Sequence, residues 1–326
     1  MFLDYIMIRI RVLIAIGLLS FSLDSFSQTG EVPIDPEILP GIVRITSPSL
    51  LFPGKLTQGS GFIVWKRVTD GRDTTGVVFL VTNKHMISDW TYVDSIASRH
   101  TLYIEVSFYS KLSGVAVMPQ TRRIAVLDSN GQVNDNVLEH NEPSVDVCVI
   151  LLGTEIVNNP LLKLTSFHVN FLLPFEDITR WSFNVGSEVF VLGYPRGITS
   201  LNNSYPIAKS GTIASVPGQK FAIEIIDTNR SGHLTTKRLE GKLLLIDGLI
   251  VPGNSGGPVI IPSMVKTRVD SAGQRQWWNR ASENMIIGIL SGNFGDSGLS
   301  LVYSSNYISQ VVDAFLKQRK WIPIQE

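Results

Sequence analysis

Three glycines surround one serine in Val251-Pro252-Gly253-Asn254-Ser255-Gly256-Gly257-Pro258-Val259, and an apolar run follows. Glycine reaches backbone dihedrals closed to other residues and leaves room for close approach. Such a loop can turn the amides of Gly253 and Ser255 toward one point and present the Ser255 hydroxyl beside it. Acyl transfer requires that arrangement, a nucleophile next to two donors that stabilise the developing oxyanion. An ordinary glycine-rich turn has the same composition, so the residues able to serve Ser255 must decide between the two.

A serine hydroxyl needs a base, and histidine is the usual one near neutral pH. The five histidines, His85, His100, His140, His168 and His233, all precede Ser255. Gly253-x-Ser255-x-Gly257 also fits the nucleophile elbow of α/β-hydrolases, but those enzymes place their histidine after the serine, which excludes that reading. His85 has the most telling setting. Gly76-Val77-Val78-Phe79-Leu80-Val81-Thr82 reads as a buried strand, and Asn83-Lys84-His85 follows where it leaves the core. The other four lie in polar or loop-like surroundings, where histidines serve the surface or the packing. The third member should be a carboxylate that fixes the imidazole tautomer. Asp146 leads into the apolar run Val147-Cys148-Val149-Ile150-Leu151-Leu152, and an acid there is costly without a partner. Cys148, the single cysteine, sits inside that run and reads as a small buried hydrophobe.

The order His85, Asp146, Ser255, with these flanks, resembles the trypsin-like (chymotrypsin-fold) serine peptidases, and within them the bacterial high-temperature-requirement type. The resemblance is carried by Gly59-Ser60-Gly61-Phe62-Ile63-Val64, Val81-Thr82-Asn83-Lys84-His85, Val145-Asp146-Val147-Cys148-Val149, Val191-Leu192-Gly193-Tyr194-Pro195-Arg196-Gly197 and Gly253 to Val259. Ile287-Gly288-Ile289-Leu290-Ser291-Gly292 and Gly298 to Val312 extend it. It implies Ser255 as nucleophile, His85 as general base and acid, and Asp146 as the orienting carboxylate. Gly253 and Ser255 would supply the oxyanion amides, and Ser291 would begin the strand that pairs with substrate. Leu249, Gly292 and Leu301 would line the pocket for the residue before the scissile bond. With no acid among them, cleavage after small or medium apolar residues is expected. Polypeptides are the implied substrates, with no metal and no organic cofactor. A peptidase-fold binding protein with an unassembled triad, and an esterase on the same fold, are the competing readings.

Two departures from the family pattern matter. Asn254 stands where zymogen-activated relatives carry an aspartate that pairs with a new N-terminus, so no cleavage near Gly41-Ile42-Val43 should be needed. The sequence stops at Glu326 without a PDZ segment, so trimeric, chaperone-like behaviour is not expected.

The elements that must position these residues read as all-β: two six-stranded antiparallel β-barrels with the active site between them and a C-terminal helix. The 326 residues are 44% apolar and 17% charged, enough for a sizeable core. Lys+Arg and Asp+Glu are equal at 28 each without a dense basic run, which argues against nucleic acid as partner. Arg9 and Arg11 precede Val12-Leu13-Ile14-Ala15-Ile16-Gly17-Leu18-Leu19, the pattern of a secretory signal peptide with cleavage after Ser27. The apolar stretch is shorter than the roughly 20 residues of a membrane span. The chain is therefore read as exported, periplasmic or extracellular, without stable membrane insertion after signal removal. The expected division is a signal over 1–27, a first barrel with His85 and Asp146 over 28–157, a linker over 158–184, and a second barrel with Ser255 over 185–326. The last ends in a helix at Ser305 to Leu316, expected to pack on the second barrel. Arg268 to Asn284 reads as an inserted loop.

Overall fold

The structure, a computed structural model, describes residues 31–32, 34–111, 119–179, 183–199, 205–229, 231–248, 250–264, 266–269, 275–278, 284–294 and 297–324. They fall into two units. The smaller draws on 1–33 and 263–282; in it Glu31–Val32 pairs with Ser263–Met264, and Lys266–Val269 pairs with Arg275–Trp278. The inserted segment is thus partly a β-hairpin, in keeping with the β-branched and aromatic residues of its two arms. The expected signal segment, 1–27, lies outside the described residues.

The larger unit, 34–262 with 283–326, holds two sheets whose main strands pair antiparallel. The first contains β1 (Ile42–Pro48), β2 (Leu56–Thr69), β3 (Thr74–Thr82), β4 (Tyr103–Ser110), β5 (Gln120–Ala125), β6 (Val137–Glu139) and β7 (Cys148–Leu151), in the order β5-β4-β1-β2-β3-β7-β6. The second contains β8 (Glu188–Gly193), β9 (Ile207–Ile213), β10 (Lys220–Thr228), β11 (Leu234–Asp247), β12 (Pro258–Ile261), β13 (Met285–Asn293) and β14 (Leu299–Ser304). Its order is β9-β8-β12-β13-β14-β11-β10, and a β9–β11 pairing closes six of these strands into a barrel.

The first sheet differs from the expected closed barrel. Among the described residues no ladder joins β5 to β6; a single bridge, Leu127 with Val133, lies between them. The chain there is committed to a turn. Asp128 accepts from the amides of Asn130 (2.8 Å) and Gln132 (2.9 Å), and Gly131 has φ +75°.

The unbroken apolar runs of β2 and β3 are explained by burial on both faces. Alternate side chains point oppositely. Val43, Ile45, Ile63, Leu80, Val106 and Ile150 fill one cluster. Their neighbours Ile42, Phe62, Val64, Phe79, Val81 and Val149 join a second cluster with Leu192, Tyr194, Ile260 and Ile289 of the other sheet. Each side chain so buried contributes about 1.5–3 kcal/mol. The second cluster also receives the C-terminal helix, Ser305–Gln318, through Ile308, Val311, Val312, Phe315 and Leu316. The helix is therefore not held by the second sheet alone. Phe315 meets Phe79 edge-on at 5.4 Å, and Asp313 pairs with Lys66 at 2.7 Å. The first sheet's outer apolar face requires that cover.

The connecting residues 158–184 carry short elements. Leu162–Lys163 pairs with β4 and Phe167–His168 with β2, and the Leu173 amide donates to Ile286 O at 2.8 Å. Among the described residues no helix is long and apolar enough to cross a membrane.

Candidate active site

His85 and Asp146 meet because β3 and β7 are paired. The antiparallel register sets Phe79 opposite Leu151 and Thr82 opposite Cys148. Continued past the strand ends, it brings Lys84 level with Asp146. There the chain turns in a short 3-10 helix, Lys84–Met86, which swings the His85 ring over the carboxylate. His85 Nδ1 lies 2.7 Å from Asp146 Oδ2, and the His85 amide donates to Oδ1 at 3.2 Å. Asn83 ties the two strand ends by donating Nδ2 to Asp146 O at 2.7 Å. Asp146 is fully buried, whereas the His85 side chain keeps 24% exposure. An ionised carboxylate accepts only, so the imidazole proton belongs on Nδ1 and the lone pair on Nε2. Next to it, burial holds Lys84 below its ordinary range, partly offset by the charges of Glu139 and Asp146, and its Nζ donates to Glu142 O at 3.1 Å.

Ser255 sits half-buried in a loop fixed from three sides. Positive φ at Gly253 (+101°) and Gly256 (+85°) bends the chain tightly on either side of it. From the first sheet, the Ser60 amide donates to Ser255 O and the Ser60 hydroxyl donates to Gly253 O, both at 2.7 Å. From the residues after β8, the Arg196 amide donates to Pro252 O at 2.7 Å; from β13, Leu290 O accepts the Gly256 amide at 2.8 Å. Among the described residues no acceptor takes the amides of Gly253 or Ser255. A Cβ on Gly59 would lie 2.4 Å from Met86 Sδ and 2.9 Å from Ser255 O, so the turn bearing His85 and the Ser255 peptide border the same glycine.

Ser291 has a role beyond the expected substrate strand. The β13–β14 register slips between Leu290 and Gly292. A bulge of this kind re-aims a side chain, and the Ser291 hydroxyl donates to Asp146 Oδ2. Gly292 and Leu301 line one cavity of about 110 Å³ with Tyr92, Ile225, Ile226, Asn293 and Phe294. The third expected pocket residue, Leu249, lies outside the described residues. Cys148 is buried and its thiol is pushed well above the ordinary range by desolvation, in a setting that suits packing and not nucleophilic attack. His100 is engaged with Glu139 at 2.9 Å and His140 with Gln310 at 2.8 Å. Among the described residues no cluster of three or more His, Cys, Asp or Glu could hold a metal ion.

The sequence pattern of the trypsin-like peptidase domain matches residues 59–263, more than half of the chain. The chain belongs to the trypsin-like peptidase family. Among solved structures it is similar to the Rv3671c protease from M. tuberculosis in its active form, with 17% identity, 88% of this chain and 91% of that chain covered, and a TM-score of 0.40. The inactive form of that protease aligns at 17% identity over 87% of this chain and 99% of its own, with a TM-score of 0.39. No curated protein matches the chain.

This trypsin-like peptidase carries one element near its site that sequence reasoning passed over, the excursion 88–101. Its organiser is Asp89, fully buried, which accepts from the Ser98 amide and hydroxyl (2.9 Å each) and from the Arg99 amide (3.0 Å) and Nε (3.2 Å). Burial alone would raise that carboxyl, but these donors outweigh it and hold it below its usual range. The excursion presents Trp90, whose ring stacks 6.4 Å from that of His85, and Tyr92. In the sequence the excursion shows only an acid, Asp89, with Ser98-Arg99 nine and ten residues on.

Proposed function

We propose that this peptidase is an exported serine endopeptidase working through Ser255, His85 and Asp146. The observation that carries the reading is the 2.7 Å contact between His85 Nδ1 and the fully buried Asp146 carboxylate. It leaves Nε2 as a base, and the glycine-bent loop offers Ser255 as the nucleophile. In the first half-reaction Ser255 Oγ attacks the scissile carbonyl carbon as its proton passes to His85 Nε2. The carbonyl π electrons move onto oxygen, where the Gly253 and Ser255 amides donate to the oxyanion. Collapse expels the amine, which takes the proton from His85, and leaves an acyl-serine. Water repeats the sequence and frees the acid.

The resemblance to the high-temperature-requirement type, the signal-like start over 1–27 and the division into modules at 28–157, 158–184 and 185–326 belong to this proposal. So does a periplasmic or extracellular setting. Selectivity follows from the cavity of about 110 Å³ lined by Tyr92, Ile225, Ile226, Gly292 and Leu301. None of these offers a charge to a buried lysine or arginine, so a peptide library should be cut after small or medium apolar residues. Cleavage mainly after lysine or arginine would contradict this.

A fluorophosphonate probe tests the reading directly. Wild-type protein should be labelled at Ser255, and Ser255→Ala should not be labelled. Absence of labelling in folded wild-type protein would reject the enzyme and favour a peptidase-fold binder.

A further inference from the structure

Tyr92 reaches the site from the excursion 88–101, and its hydroxyl lies 2.7 Å from Ser291 Oγ. Ser291 is 2% exposed and already bonded to Asp146 Oδ2. Its single hydroxyl proton must serve one of these neighbours. An ionised carboxylate can only accept, so the Ser291 proton goes to Asp146 and the Ser291 lone pairs accept from Tyr92. The donors then run one way, from Tyr92 to Ser291 to Asp146, opposite the His85 Nδ1 proton on the same carboxylate oxygen. We propose that Tyr92 is a positioning residue, which fixes the Ser291 rotor and through it the Asp146–His85 pair. Its catalytic consequence rests on the serine-peptidase reading; the hydrogen-bond chain does not.

Three features hold the Tyr92 hydroxyl where this requires. Trp90 packs edge-on to the Tyr92 ring at 5.1 Å and anchors its own Nε1 on Pro143 O at 2.9 Å, within the turn that leads to Asp146. Lys237 of β11 donates to Ser95 Oγ at 2.7 Å and to Val93 O at 3.4 Å, which clasps the excursion just past Tyr92. Gly292 leaves the space: a Cβ there would stand 2.6 Å from the Tyr92 hydroxyl. Donors in series polarise one another inside a protein. Without the first donor, Ser291 would bond the carboxylate less strongly and could rotate away from it.

The test compares wild type with Tyr92→Phe, Ser291→Ala and the double variant. The readouts are the downfield proton resonance of His85 Nδ1 and steady-state hydrolysis of a peptide. Tyr92→Phe should displace the resonance and lower kcat about three- to tenfold with KM unchanged, the range of one buried hydrogen bond. Because Tyr92 acts through Ser291, adding Tyr92→Phe to Ser291→Ala should change neither readout further. Gly292→Ala, which crowds the hydroxyl without removing it, should displace the resonance in the same direction as Tyr92→Phe. A wild-type resonance in Tyr92→Phe, or a full additional effect in the double variant, would overturn the proposal. If wild type hydrolyses no peptide while the resonance moves as stated, the peptidase reading fails and the hydrogen-bond chain stands.

Discussion

Alanine at His85 should lower kcat/KM about 10⁴- to 10⁶-fold, the range found when the base of a serine triad is removed, with the melting temperature little changed. The two halves of that expectation have different origins. Loss of the ring removes the base proposed for Ser255, and neither His100, engaged with Glu139, nor His140, engaged with Gln310, stands in for it. The fold tolerates the change because the His85 side chain keeps 24% exposure, Asp146 retains the Ser291 hydroxyl and the residue 85 amide as donors, and the seam between the sheets is filled by Phe62, Phe79, Val81 and Tyr194. Asp146→Asn should behave differently. It should cost about 10⁴-fold in kcat by allowing the wrong imidazole tautomer. It should also cost about 1–3 kcal/mol of stability, since an amide nitrogen would face donors now satisfied by a buried carboxylate. Peptide hydrolysis and thermal unfolding of both variants check this. An active His85→Ala enzyme, or an Asp146→Asn protein as stable as wild type, would contradict it.

The parts of this site that could be read from sequence lie at the ends of strongly patterned strands. Val77 to Val81 and Val147 to Leu152 are apolar without interruption because both faces of the first sheet are buried, so the polar residues near their ends, His85 and Asp146, stand out. The second half shows the same signal in β8, Glu188–Gly193, where Val189, Val191 and Leu192 are buried. Long-range features were not. Tyr92 and Ser291 are 199 residues apart, and nothing local to either announces the other. Ser60 entered only as part of a glycine-rich motif, yet its amide and hydroxyl fix the Ser255 loop. β11 shows a strand pattern only in its second half, where Leu243, Leu244 and Ile246 are buried, because its start, Leu234 to Arg238, pairs with β10 and has no buried face to give it alternation. The C-terminal helix showed its apolar stripe in the sequence, but a stripe does not say which surface it covers. That was decided by the second apolar face of β2 and β3.

Gly253→Ala should reduce kcat about 10²- to 10³-fold, the scale of one oxyanion donor, and should destabilise the protein as well. At φ +101° an alanine is strained before any contact is considered. Its Cβ would also stand 2.3 Å from Tyr194 O and 2.7 Å from the Arg196 amide. Both are backbone atoms, held by the Tyr194 amide on Ser60 Oγ (3.0 Å) and by the Arg196 amide on Pro252 O (2.7 Å), so neither can yield cheaply. The peptide must rotate, which turns the Gly253 amide away from the oxyanion role proposed for it. Gly54→Ala separates strain from geometry: its φ is +78°, but a Cβ there meets nothing within 4 Å. It should carry a backbone cost of about 1–2 kcal/mol and leave kcat untouched. Equal losses of kcat in the two variants would mean that backbone strain alone, and not the direction of the Gly253 amide, governs the reaction. A fully active Gly253→Ala enzyme would remove this amide from the mechanism.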